Sequence, residues 1–129
     1  MESKIIQGDA LIEIRKFQNE TFDAVIIDPP FGIGFKYKDK EQHNNSQEYW
    51  NWLHPIYDEC IRVLKEGGFV AIWQTQLYFK HFWNWFGDNI HIYAGCKNFV
   101  QLTKTPINYA YDPIIMFYKS GKELKPIKP

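Results

Sequence analysis

Phe22-Asp23-Ala24-Val25-Ile26-Ile27-Asp28-Pro29-Pro30-Phe31 is the stretch whose reading decides the fold. Its first six residues are nearly continuously apolar and rich in β-branched side chains, which predicts a strand buried on both faces of a parallel sheet. The strand has to stop at Asp28, because two consecutive prolines remove two backbone donors and lock two φ angles. Open α/β sheets bind ligands beyond the carboxyl ends of their strands, so Asp28-Pro29-Pro30-Phe31 stands where a site is expected. It offers a carboxylate, a proline carbonyl fixed in direction and an aromatic ring, all on a stiff backbone. The two acceptors suit the two protons of a flat amino group, and the ring suits the π-face of the base that carries it. A Pro-Pro turn after a strand also occurs as simple punctuation, so the motif needs support from its surroundings.

Upstream, Ile5-Ile6 and the turn Gln7-Gly8-Asp9 predict a short strand. Leu11, Ile14 and Phe17 then recur at helical spacing behind Asp9, an N-cap candidate. Downstream, residues 32–45 are rich in Gly, Lys, Asp, Gln and Asn without periodicity and predict a long loop, which in a small domain is usually functional. Asn45 and Glu48 make a capping-box-like start to a helix whose buried face is Tyr49, Leu53, Ile56, Cys60 and Leu64, kinked by Pro55 and ended by Gly67-Gly68. Phe69–Trp73 predicts a second buried strand, and Tyr78–Phe86 a second long helix closed by Gly87. Segments 90–93, 98–103 and 113–118 predict later strands, and the tail from Lys119 reads as irregular. The alternation of strands and helices argues for an open, doubly wound α/β sheet in a single domain spanning residues 1–129.

The chain has 129 residues, 45% hydrophobic and 18% aromatic, which is enough apolar material for one packed core and excludes a disordered chain. Fifteen basic residues balance fifteen acidic ones, so the whole lacks the excess of a dedicated nucleic-acid clamp. The distribution is uneven: residues 1–35 carry −3, residues 36–96 carry −1 and residues 97–129 carry +4. Polyanion contacts are therefore expected from the C-terminal third and from Lys36, Lys38 and Lys40. Without a signal-like N-terminus or a bilayer-length apolar run, a cytoplasmic location is expected. Cys60 and Cys96 lack metal-ligand partners, and His43, His54, His81 and His91 show no pairing with a Cys or carboxylate at ligand spacing and default to solvated or packed histidines, so neither a disulfide nor a metal site is expected. The aromatic group from Trp73 to Phe86 could stack on single-stranded bases, but its helical spacing favours core or interface packing.

Asp28-Pro29-Pro30-Phe31, with its preceding strand and Gly8-Asp9-Ala10-Leu11, resembles the amino-methylating DNA methyltransferases that use S-adenosylmethionine. Glu59 to Phe69, including Gly67-Gly68, agrees in order and approximate spacing, so the likeness runs from Ile5 to about Lys119. The resemblance implies a Rossmann-like methyltransferase fold with Asp28, Pro29, Pro30 and Phe31 as catalytic residues that bind the exocyclic amine of a flipped adenine; a Ser-Pro-Pro variant is more usual for cytosine. It also implies contact between S-adenosylmethionine and Asp9, Ala10 and Asp28. Asp9 as a plain N-cap stays open beside that role. Phe35, Lys36, Tyr37 and Lys104 would face the DNA, with a solvated lysine the alternative at Lys104.

The order of motifs is that of the permuted class of the family, whose Phe-x-Gly-x-Gly cofactor loop comes at the C-terminal end. Phe31-Gly32-Ile33-Gly34 mimics that loop out of place and reads as a flexible hinge. The glycine loop, two strands of the usual sheet, the ribose-binding acid and a target-recognition domain are missing, so the chain resembles the catalytic half of a methyltransferase. DNA is the expected substrate, and a second copy or another chain supplying the cofactor half is the expected partner. The alternative is an inactive methyltransferase-like subunit that binds a partner or nucleic acid. Methylation of RNA or of a protein amide is weaker, since amide-modifying relatives usually carry Asn in place of Asp28.

Overall fold

Residues 22–27 form strand β1 (Phe22–Ile27), and the chain leaves the sheet at Asp28 as the prolines require. The computed structural model describes residues 3–32, 46–100 and 110–119. Around β1 lie α1 (Ala10–Ile14), α2 (Ser46–Val63), β2 (Leu64–Trp73), α3 (Phe79–Phe86), β3 (Ile90–Cys96) and β4 (Tyr111–Tyr118), with single 3-10 turns at Gln76–Tyr78 and Gly87–Asn89. The four strands make one sheet in the order β1-β2-β4-β3. β1 runs parallel to β2, while β4 is antiparallel to both β2 and β3.

Register assigns the faces. Val25, Ile27, Val70, Ile72, Ile115 and Phe117 share one face, because partners across a ladder point the same way. Against it pack Tyr49, Leu53, Tyr57 and Cys60 of α2 and Phe82 and Phe86 of α3, forming the buried core. The Phe86 and Phe117 rings stack at 4.1 Å. The opposite face carries Ala24, Ile26, Phe69, Ala71, Trp73, Ile114, Met116 and Tyr118, none of which belongs to that core cluster. Ile26 is 67% exposed, which corrects the expectation that β1 is buried on both faces.

Three further expectations change. Ile5 and Ile6 form no strand: β1 is the edge of the sheet, no described neighbour pairs with it there, and Ile5 is 98% exposed. Gly67-Gly68 does not end α2, which stops at Val63, but lies inside β2 where the pairing to β1 skips from Phe22↔Leu64 to Ala24↔Phe69. Gly67 takes φ +76°, and a Cβ on Gly68 would stand 2.7 Å from the Asp23 carbonyl oxygen, so glycine is required for a bulged strand entry rather than for a helix cap. Residues 98–100 are not a strand, and 101–103 lie outside the described residues.

Helix α2 continues through Pro55. The carbonyl that loses its donor is that of Asn51, which is exposed and open to water, so the helix need not break. Arg62 near its end ties down the N-terminal segment: its guanidinium donates to the Phe17 carbonyl at 2.9 Å and the Ile14 carbonyl at 3.2 Å, and it pairs with Glu59 at 2.6 Å. Those two carbonyls include the end of α1, which has too few residues to satisfy its own termini. Gly87 closes α3 with φ +59°, as its position predicts.

Candidate active site at the carboxyl ends of β1 and β2

Ile27 pairs with Ile72, so the parallel strands β1 and β2 finish side by side and release Asp28-Pro29-Pro30-Phe31 and Gln74-Thr75 at the same end of the sheet. Asp28 is exposed, Pro29 is buried, and Phe31 is half-buried. The Asp28 carboxylate makes no hydrogen bond or ion pair among the described residues, which leaves its oxygens open as acceptors.

The loop after β1 is held from behind. The Tyr49 hydroxyl, from the first turns of α2, donates to the Pro30 carbonyl. It accepts from the side-chain amide of Gln74 at 2.8 Å, and the Gln74 carbonyl oxygen accepts from the Thr75 backbone N–H at 2.8 Å. Gln74 is 1% exposed and its bond to Tyr49 lies out of water, where it is electrostatically stronger and an unpaired group more costly, while the bonds to Pro30 and from Thr75 are part-buried. Two residues past the Pro30 carbonyl, that of Gly32 accepts from the Tyr78 hydroxyl at 2.9 Å. Burial raises the Tyr78 pKa, so that hydroxyl stays protonated past the ordinary tyrosine range. Burial does the same for Tyr57, further along the buried face of α2, whose hydroxyl has no hydrogen-bond partner among the described residues.

Gly32 takes φ +63°, and a Cβ there would lie 2.5 Å from the Tyr49 ring and 2.7 Å from the Tyr78 hydroxyl oxygen. The two rings sit 4.7 Å apart by centroid. Phe31-Gly32 is therefore a fitted segment, and Ile33 and Gly34, the other half of the expected hinge, lie outside the described residues.

Asp9 is exposed and caps α1, its carboxylate accepting from the Ile12 N–H at 3.1 Å. No hydrogen bond or ion pair among the described residues joins Asp9 or Ala10 to Asp28. An apolar groove of about 300 Å³, lined by residues such as Phe17, Phe22 and Ile26, follows the β1 edge and contains none of the expected site residues. Asp28-Pro29-Pro30-Phe31 and the residues behind it thus form one open wall at the end of the sheet. Phe35, Lys36, Tyr37 and Lys104 lie outside the described residues. His54 Nδ1 stands 3.2 Å from the Asp58 carboxylate one helical turn away. No group of three metal-ligating side chains occurs among the described residues.

Sequence reasoning places Tyr49 and Tyr78 on helix faces and passes over Gln74. The signal for Gln74 is nonetheless there: it follows a buried strand at its carboxyl end, the same position that singles out Asp28.

Residues 22–128 match the family described as DNA methylase. The type II methyltransferase M.BamHI of Bacillus amyloliquefaciens is 30% identical over 95% of this chain and 30% of its own length. M.HpaI of Haemophilus parainfluenzae, also a type II methyltransferase, is 25% identical over 95% of this chain and 41% of its own. The DNA adenine methyltransferase YhdJ of Escherichia coli K12 is 37% identical over 53% of this chain and 23% of its own. The chain therefore spans well under half the length of these curated relatives. Among solved structures, a putative DNA modification methylase of Thermus thermophilus superposes with a TM-score of 0.63 at 17% identity, covering 94% of this chain and 56% of that one. The complex of M1.HpyAVI with SAM gives a TM-score of 0.59 at 16% identity, covering 96% and 58%. Both likenesses establish the Rossmann-like methyltransferase fold.

Proposed function

The chain belongs to the DNA methylase family, and from that premise we propose that it is the catalytic part of a DNA methyltransferase that methylates the exocyclic amine of adenine. The observation that carries this reading is the placement of Asp28-Pro29-Pro30-Phe31 at the shared carboxyl end of β1 and β2 with the Asp28 carboxylate exposed. Tyr49 already engages the Pro30 carbonyl, so the Asp28 carboxylate and the Pro29 carbonyl are the acceptor pair for the two protons of an amino group. An aromatic amine is a poor nucleophile because its lone pair is delocalised into the ring. Two acceptors on its protons favour the pyramidal nitrogen of the transition state over the flat ground state, which is what accelerates the reaction. Phe31 offers its face to the base, offsetting part of the few kcal/mol that extruding a base from the duplex costs.

S-adenosylmethionine, which solved relatives bind, supplies an electrophilic methyl group when present. Asp28 and the adjoining wall would border it, and Asp9 and Ala10 contribute only if the remainder of the fold carries the cofactor over α1. Adenine is favoured over cytosine because the family resemblance associates Asp at the first motif position with adenine, and one relative is a DNA adenine methyltransferase. The rest of the site comes from a longer parent chain, a partner chain or a second copy; the span of the relatives supports this. The second reading is a methyltransferase-like subunit that binds a partner or nucleic acid without turnover.

The test is mass spectrometry of nucleosides from DNA incubated with the methyl donor and this chain together with its cofactor half. N6-methyladenine is expected, abolished by Asp28→Asn. Turnover that survives Asp28→Asn would overturn the catalytic reading, and N4-methylcytosine would overturn the choice of base. No methylated base from a complex that binds both cofactor and DNA would favour the silent subunit.

A further inference from the structure

We propose that Tyr49 and Tyr78, with Gln74 behind Tyr49, are positioning residues that set the aim of Phe31 and of the acceptor pair beside it. This rests on the proposed function for what the loop is aimed at, but the geometry stands by itself. The two carbonyls they hold, Pro30 and Gly32, bracket Phe31. Fixing the Pro30 carbonyl fixes the plane of the Pro30–Phe31 peptide, and fixing the Gly32 carbonyl fixes the plane that leaves the segment. Only a few dihedrals lie between those planes, and Gly32 has φ +63° with no room for a side chain.

The prolines stiffen one side of the motif and the tyrosines the other. Pro29 and Pro30 cannot donate a backbone hydrogen bond, so the motif has no N–H of its own with which to anchor at those positions. Its anchors have to be donors brought from elsewhere and received at carbonyls, and a phenol is suited to that. Gln74 completes the arrangement: by donating to Tyr49 it leaves the Tyr49 proton for Pro30, and its own carbonyl oxygen is occupied by Thr75 N–H. The buried amide thereby dictates the direction of the hydrogen bond. The donors come from three places, α2, the end of β2 and the 3-10 turn before α3, so the aim of the motif is referenced to the core rather than to the loop that follows it.

The experiment uses the chain labelled with fluorophenylalanine, the Phe31 resonance being assigned by its disappearance in Phe31→Leu. Tyr49→Phe and Tyr78→Phe, singly and together, should move or broaden the Phe31 resonance while those of Phe82 and Phe86 stay in place. The single variants remain informative if the double variant does not fold. A Phe31 resonance unchanged in both single variants, or one that moves only together with the core resonances, overturns the proposal. In the active assembly each single variant should lower kcat by about tenfold, the loss expected when one hydrogen bond fixing the peptide planes beside the acceptor pair is removed, with KM for the methyl donor unchanged. If Asp28→Asn keeps turnover while the Phe31 signal responds to the tyrosines, the functional reading fails and the clamp stands. If Asp28→Asn is silent and the Phe31 signal ignores them, the clamp alone fails.

Discussion

Cys60 and Cys96 have the same side chain and opposite fates. Cys60 points into the core from α2 and is 3% exposed, and burial pushes its pKa up to about 12; Cys96 ends β3 in the open. Thiolate is the reactive form, so alkylation by iodoacetamide under native conditions should modify Cys96 and spare Cys60 until the chain unfolds, as peptide mapping would report. The raised pKa also has a stability consequence. Folding keeps a proton on Cys60 that the unfolded chain releases at the ordinary thiol value of 9.0, so this contribution is complete below about pH 9 and is lost as pH rises toward 12. Tyr57 and Tyr78 are raised for the same reason and steepen the loss. Urea midpoints should fall from about pH 9 upward, and Cys60→Ala should flatten the early part of that fall while lowering the midpoint at neutral pH through the lost volume.

At the scale of elements, α1 leans on the Arg62 side chain of α2. A five-residue helix satisfies little of its own backbone, and Arg62 supplies donors to Ile14 and Phe17 while reaching Asn19 at 2.8 Å. Arg62→Ala should cost about 1–3 kcal/mol, the range for charge-assisted hydrogen bonds at a partly exposed site, and should raise amide exchange selectively over residues 10–21. The same element explains what can be read in advance. Asp9 as cap and Leu11, Ile14 and Phe17 as a face are local patterns, and α1 obeys them. The strand at Phe22–Ile27 and its abrupt end at Asp28 are equally local, as is the stop at Gly87. Arg62 reaching across more than forty residues is not local, nor is the pairing of Gln74 with Tyr49, and no periodicity or spacing reveals them. Gly67-Gly68 misleads because a glycine pair after a helical run signals a cap, whereas here the close approach of the Asp23 carbonyl from another strand is what demands glycine. Ile5-Ile6 misleads because β-branched composition describes a willing strand, and a strand also needs a neighbour.

On the scale of the whole molecule, the sheet has one face covered by helices among the described residues. α2 and α3 cover Val70, Ile72 and Ile115, while Ile26 stands 67% exposed on the other side and the β1 edge flanks an apolar groove. A doubly wound sheet normally has helices on both faces, and the matched regions of solved relatives amount to little more than half of those chains. Among the described residues β1 lies at the sheet margin, so we expect its outer edge and the Ile26 side to be the surfaces the remainder of the fold would meet. When that remainder is not supplied, the same surfaces should pair with copies of themselves, since an uncovered apolar edge is a template for association. We expect light scattering at low micromolar concentration to give a mass above that of one chain. Ile26→Asp should shift it toward the monomer. An exposed strand residue costs at most about 1 kcal/mol in strand preference, so the variant should melt within a few degrees of the parent, and a change in mass can then be read as loss of contact rather than loss of fold. A parent chain that scatters as a stable monomer, with Ile26→Asp indistinguishable from it, would mean that this face is covered from within the chain.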